Sequence, residues 1–115
     1  MDRNPDIIEY ISRYCHNYWT DLEKKASEHH IAQTKFLPHK DRDSRFGELY
    51  RCNTSTDPNV LELLRDGYSS FLETVANRIY DQHLNELELN RCPNCKGIAR
   101  TPTAKQCRYC GHDWH

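Results

Sequence analysis

Residues 4–30 read NPDIIEYISRYCHNYWTDLEKKASEHH. Ile7, Ile8, Ile11, Tyr14, Cys15, Tyr18, Trp19, Leu22 and Ala26 recur at steps of three and four, the spacing that lines one face of a helix. Asn4 is a suitable N-cap. Pro5 suits the first helical position, where no amide hydrogen is needed. The pattern predicts one amphipathic helix from about Pro5 to about His30. Its apolar stripe needs a partner.

A second helical region supplies one. Asp57-Pro58 repeats the cap-plus-proline signal. Val60, Leu61, Leu64, Tyr68, Phe71, Leu72, Val75, Ile79, Tyr80, His83, Leu84 and Leu87 keep helical spacing. Asp66-Gly67 interrupts the run, and glycine is favoured just past a helix end. Two helices, 58–66 and 69–89, follow, although the apolar phase also carries across Gly67 as one long helix would. Residues 31–56, with Pro38, Gly47 and the polar run HKDRDSR, read as loop. FGELYRC inside them alternates too poorly for a strand. No internal repeat is evident. The expected fold class is mainly α: a small helical bundle or helical hairpin over residues 1–90, with a distinct module over residues 91–115.

That module is CPNCKGIARTPTAKQCRYCGHDWH, residues 92–115. Cys92 and Cys95 are separated by two residues, as are Cys107 and Cys110, with eleven residues between the pairs. A tight turn spanning two residues points both sulfurs at one centre and lets backbone N–H groups donate to them. Gly97 and Gly111 sit where such turns need a left-handed residue. GIARTPTAKQ reads as a strand (Ile98 to Arg100), a turn and a returning strand that bring the pairs together. Four thiolates with no open position describe a structural zinc site. Iron fits the same ligands less well supported, and two disulfides conflict with the spacing.

On CPNC, CRYCG and a hairpin-length spacer, the tail resembles the zinc-ribbon family. The resemblance covers about 25 residues, and the spacer is shorter than the roughly 15–20 residues often quoted. It implies one zinc ion on Cys92, Cys95, Cys107 and Cys110, and no single function. The helical body resembles no family. Residues 91–115 hold few apolar side chains, so metal binding is expected to supply their stability. His112 is expected beside the site, its ring N–H reaching a sulfur or a carbonyl. Trp114 is expected to pack on the body or cover the site.

Charge is uneven. Residues 91–115 carry Arg91, Lys96, Arg100, Lys105 and Arg108 against Asp113, while residues 1–90 carry the remaining eleven basic and sixteen acidic side chains. Basic groups beside aromatics can hold phosphates and stack on bases, which marks Arg100, Lys105, Arg108, Tyr109 and Trp114 as candidate nucleic-acid or partner contacts. A zinc tetrathiolate brings two net negative charges, which halves the excess. The acidic body would also repel phosphate.

Catalytic signatures are lacking: no HExxH, no GxSxG, no phosphate-cradling glycine loop. Glu28-His29-His30 reads as a solvated helix end, and Cys15 as a buried inert thiol beside His16. Cys52 reads as an incidental thiol and His83 as a hydrogen-bonded, partly buried histidine. The N-terminus has no signal-peptide pattern, and no segment approaches the roughly 20 apolar residues that span a bilayer. A cytoplasmic, non-catalytic, zinc-binding adaptor with a protein partner is therefore the expected function. The alternative is a nucleic-acid-binding protein using the basic tail. The sequence assigns no oligomeric state.

Overall fold

The computed structural model describes residues 4–115. The chain is mainly helical: α1 (Pro5–Tyr14), α2 (Asp21–Ile31), α3 (Arg45–Asn53), α4 (Pro58–Leu63) and α5 (Tyr68–His83), with short 3-10 and π-helical turns beside them. No regular strand occurs among the described residues, where only isolated bridges form. The chain divides into two compact units. One comprises the residues up to Tyr18 together with Glu73–His115, the other Trp19–Leu72.

The long first helix expected from the stripe is two helices. Asn4 caps α1, its Oδ1 accepting from the Ile7 amide at 2.9 Å. The helix stops at Cys15, which leaves helical geometry at φ −112°, ψ 40°. A short 3-10 turn, His16–Tyr18, follows. Thr20 then opens α2 with a capping box. Its hydroxyl accepts from the Glu23 amide at 3.1 Å, and the Glu23 carboxylate accepts from the Thr20 amide at 2.8 Å. The apolar stripe hides this break, because a turn between two helices can keep the same residues facing inward.

In the unit that contains α1, Ile7, Ile11, Cys15, Val75, Ala76 and Ile79 are buried together with Cys92, Ile98, Ala99 and Cys107 of the tail. The tail thus shares a core with helical residues of its own unit. Tyr18 stacks on His83, with centroids 4.7 Å apart, and its hydroxyl donates to the Glu86 carbonyl at 3.2 Å. His83 also bonds Glu86, at 3.1 Å, so it is the partly buried, hydrogen-bonded histidine expected.

The second unit buries Ala26, Ala32, Val60 and Phe71, and Trp19 meets Phe71 edge-on. The expectation of a solvated His29 is corrected here. His29 is 8% exposed, and its Nδ1 accepts from the Ser55 amide at 2.9 Å. His30 stacks flat on Tyr68, 3.9 Å between centroids. FGELYRC is also not loop. Ser44 caps α3 by accepting from the Gly47 amide at 3.2 Å. Gly47 lies against carbonyl oxygens: a Cβ there would run into those of Arg42 and His39. The segment Ala32–Phe36 widens into a π-helical turn before Pro38. α4 and α5 are separate, the chain turning through Gly67 at φ +97°. α5 ends at His83, short of residue 89, in a 3-10 turn over Leu84–Glu86.

Candidate metal centre

Two knuckles built alike form the tail. Arg91 bridges to Ile98 around the first and Gln106 to Asp113 around the second. In the first, the Cys92 amide donates to the Gly97 carbonyl at 2.8 Å and the Lys96 amide to the Cys92 carbonyl at 2.9 Å. In the second, fifteen residues on, the Cys107 amide donates to the His112 carbonyl at 2.7 Å and the Gly111 amide to the Cys107 carbonyl at 3.1 Å. Even the flanks correspond: Ala99 donates to Asn90 at 2.8 Å, and Trp114 to Lys105 at 2.9 Å. A backbone repeat of fifteen residues therefore exists. Sequence inspection misses it because only the cysteines are shared between the halves.

This arrangement replaces the expected hairpin. Ile98 does not pair with a returning strand. Each knuckle closes on itself, and the spacer is held from outside. The Asn90 side-chain amide donates to the Thr101 carbonyl at 2.9 Å and the Ala104 carbonyl at 2.8 Å.

The left-handed residue of each knuckle directly follows its second cysteine. It is Gly111 at φ +78° in one and Lys96 at φ +67° in the other. Gly97, expected to hold that role, has a different one. A Cβ on Gly97 would enter the ring of Tyr109, which lies over this glycine and would come within 2.8 Å at Cε2.

The four sulfurs lie within 4.8 Å of one another. Cys95 and Cys107 are 3.4 Å apart and Cys92 and Cys110 3.7 Å. Thiolates tetrahedral about a cation at the ~2.3 Å Zn–S distance sit about 3.8 Å apart. The two closest sulfur pairs are within a few tenths of an ångström of that spacing, and all four sulfurs are near enough to share one metal ion. Backbone amides are aimed at the sulfurs. Asn94 and Cys95 donate to Cys92 Sγ at 3.3 and 3.4 Å, and Tyr109 and Cys110 to Cys107 Sγ at 3.3 and 3.4 Å. The Asn94 side chain approaches Cys110 Sγ at 3.7 Å. Cys92 and Cys107 are buried, while Cys95 and Cys110 face solvent.

These contacts split the thiols electrostatically. The Cys110 and Tyr109 amides bring the Cys107 thiol down to about 6 against the cost of its burial. Cys110 is also lowered, chiefly by the His112 amide and then by Asn94. At Cys95 the Gly97 amide pulls downward, but the adjacent thiols and burial outweigh it and carry the group up to about 12. Cys95 thus retains its proton at neutral pH, and a bound cation would displace it.

The remaining predicted residues disperse. His112 turns its ring onto Trp114, 6.2 Å between centroids, and offers the site its backbone. The terminal His115 bonds Asp113. Tyr109 donates its hydroxyl to the Asp6 carboxylate on α1, and burial, then that bond, raises its phenol. Arg108 lies 3.8 Å from the same carboxylate and 5.2 Å from the Tyr109 ring. Arg100 and Lys105 are exposed. Cys15 is buried, and burial raises its thiol, as an inert cysteine requires. Cys52 is exposed.

No family model, curated protein or solved structure matches the chain. Among the described residues no helix is long and apolar enough to cross a membrane.

Proposed function

We propose that the chain is a non-catalytic, zinc-binding interaction protein whose four cysteines hold one structural zinc ion. The observation that carries this reading is the closed sulfur cluster, with four backbone amides donating to its two buried members. Such a site saturates a tetrahedral ion and leaves no position for substrate. Amide donors lower the charge on the sulfurs and hold the knuckles in register. Likeness to the zinc ribbon extends to the paired knuckles, with the hairpin between them replaced by a tethered loop.

Exposed apolar surface in the second unit supports a protein partner. Phe46 is half exposed, stacks on Phe36 and neighbours His39, and Leu37 and Ile31 are exposed on the same unit. Of the residues that could serve a nucleic-acid reading, Tyr109 is hydrogen-bonded to Asp6, and Arg108 is largely enclosed, 3.8 Å from the same carboxylate.

Metal analysis of the purified chain tests the first half. One equivalent of zinc, lost on Cys107→Ser, is expected. Cys107→Ser that retained full occupancy and affinity would overturn the ligand set, and a visible-absorbing iron tetrathiolate would overturn the metal. The second half is tested by affinity capture from lysate, with and without nuclease. A protein retained after nuclease and lost on Phe46→Ser supports an adaptor. Capture of nucleic acid, with affinity falling steeply as salt rises, supports the other class.

A further inference from the structure

We propose that a polar pocket between α1 and the tail, within one compact unit, binds a phosphate-type oxyanion through Arg13, Arg100 and Arg108. The pocket is lined by these three guanidinium groups with Asp6, Glu9, Tyr10 and Tyr14. Guanidinium groups from separate elements converge on one hollow. Their planar forks match the oxygens of a phosphate.

None of the three is well satisfied. Arg108 is the most enclosed, its side chain 17% exposed. Its Nε is fully buried and has no hydrogen-bond partner. A buried charged donor left without an acceptor is costly, and native structures rarely tolerate one without reason. Its ion-pair partner, Oδ1 of Asp6, stands 3.8 Å away, beyond hydrogen-bond reach, and the other oxygen of that carboxylate accepts from the Tyr109 hydroxyl. Arg100 forms no ion pair or hydrogen bond among the described residues. Arg13 pairs with Glu9 at 3.0 Å, both more than half exposed. Such a surface pair is worth little and is easily exchanged for a stronger partner.

The local balance is three cations against two carboxylates, and the carboxylates are partly committed. A dianion in the hollow gives the Arg108 guanidinium an acceptor where it lines the pocket and lets Arg100 and Arg13 close over it. Tyr10, whose phenol burial keeps protonated, forms a neutral wall with Tyr14, 5.2 Å between ring centroids. The site does not depend on the nature of the metal or on the adaptor reading.

The test is a titration of the metal-loaded full chain with inorganic phosphate at pH 7.5. Sodium chloride holds ionic strength constant, and the arginine Nε–Hε signals are followed by 1H–15N NMR. Saturable shifts confined to Arg108, Arg100 and Arg13 are expected. Arg100→Ala should weaken binding roughly tenfold. Lys105→Ala removes the same charge outside the pocket and should leave affinity unchanged. O-phosphoserine in a parallel arm separates sources: tighter binding than phosphate identifies an esterified ligand, and equal binding a free ion. Non-saturable shifts, or equal losses in the two variants, would overturn the site in favour of general screening.

Discussion

The hydroxyl of Tyr109, at the tip of the second knuckle, donates to the carboxylate of Asp6 on the first turn of α1, 103 residues away in the chain. The same tyrosine ring covers Gly97 in the first knuckle. One side chain therefore joins both halves of the cysteine cluster to the first helix, and the integrity of α1 and of the cluster are linked through it.

Tyr109→Phe should separate the two contacts, because it keeps the ring over Gly97 and removes only the hydroxyl. A loss of about 1–2 kcal/mol in urea unfolding of the metal-loaded chain is expected, as for a hydrogen bond to a charged acceptor. Asp6→Ala combined with Tyr109→Phe should cost little more than either alone, since both remove the same bond. Fully additive losses would show that the residues act independently.

Metal affinity should rise with pH. Cys95 stands at about 12 and Cys107 at about 6. At neutral pH the metal-free cluster thus already has Cys107 ionised and Cys95 protonated, and binding must release the Cys95 proton. Lowering the pH below 6 also protonates Cys107 and adds a further competing proton. Calorimetry in buffers of different ionisation enthalpy should therefore find net proton release at pH 7.5 and more at pH 5.5. Release that did not grow as pH fell would contradict the thiol assignment.

The two left-handed positions make opposite predictions. Gly111→Ala places a Cβ in that region and should destabilise by about 1–2 kcal/mol. Nothing lies near enough to clash, so the cost is one of backbone alone. Lys96→Gly relieves the same strain in the first knuckle and should be neutral or stabilising by up to ~1 kcal/mol. Thermal unfolding of the metal-loaded variants reads both. If Lys96→Gly destabilised as much as Gly111→Ala, the matching of the knuckles would be wrong.

Thr20→Ala removes half of the capping box that starts α2. A loss of about 0.5–2 kcal/mol is expected, with helicity reduced in the far ultraviolet. A continuous helix from Pro5 to His30 would instead be stabilised by alanine, so the sign of the change decides between the two arrangements.

Much of this architecture was legible in the residues alone. Asn4-Pro5 and Asp57-Pro58 mark helix starts because a side-chain acceptor and a missing amide act locally, and the structure uses both. Gly67 marks the break between α4 and α5, although α4 stops at Leu63 and not at the expected residue 66. The paired cysteines brought their sulfurs together because a two-residue turn leaves few alternatives. The break at Cys15 was readable too, from Thr20 and Glu23, but the apolar stripe masked it. Helical spacing reports which residues face inward, not whether the backbone between them is unbroken.

Other features depend on residues far apart in the chain. His29 looks like a solvated helix end until Ser55 delivers an amide to its ring. FGELYRC lacks a periodic signal because α3 is short and its glycine answers to the carbonyls of His39 and Arg42. Tyr109 looks like a free contact residue until Asp6 arrives from the other end of the chain. Local sequence determined where helices begin and where four thiols meet, since caps, prolines and tight turns act over three or four residues. Only the tertiary structure decided which polar side chains are consumed within the fold and which are left over, because their partners lie tens of residues away. The unpartnered Nε of Arg108 is such a remainder.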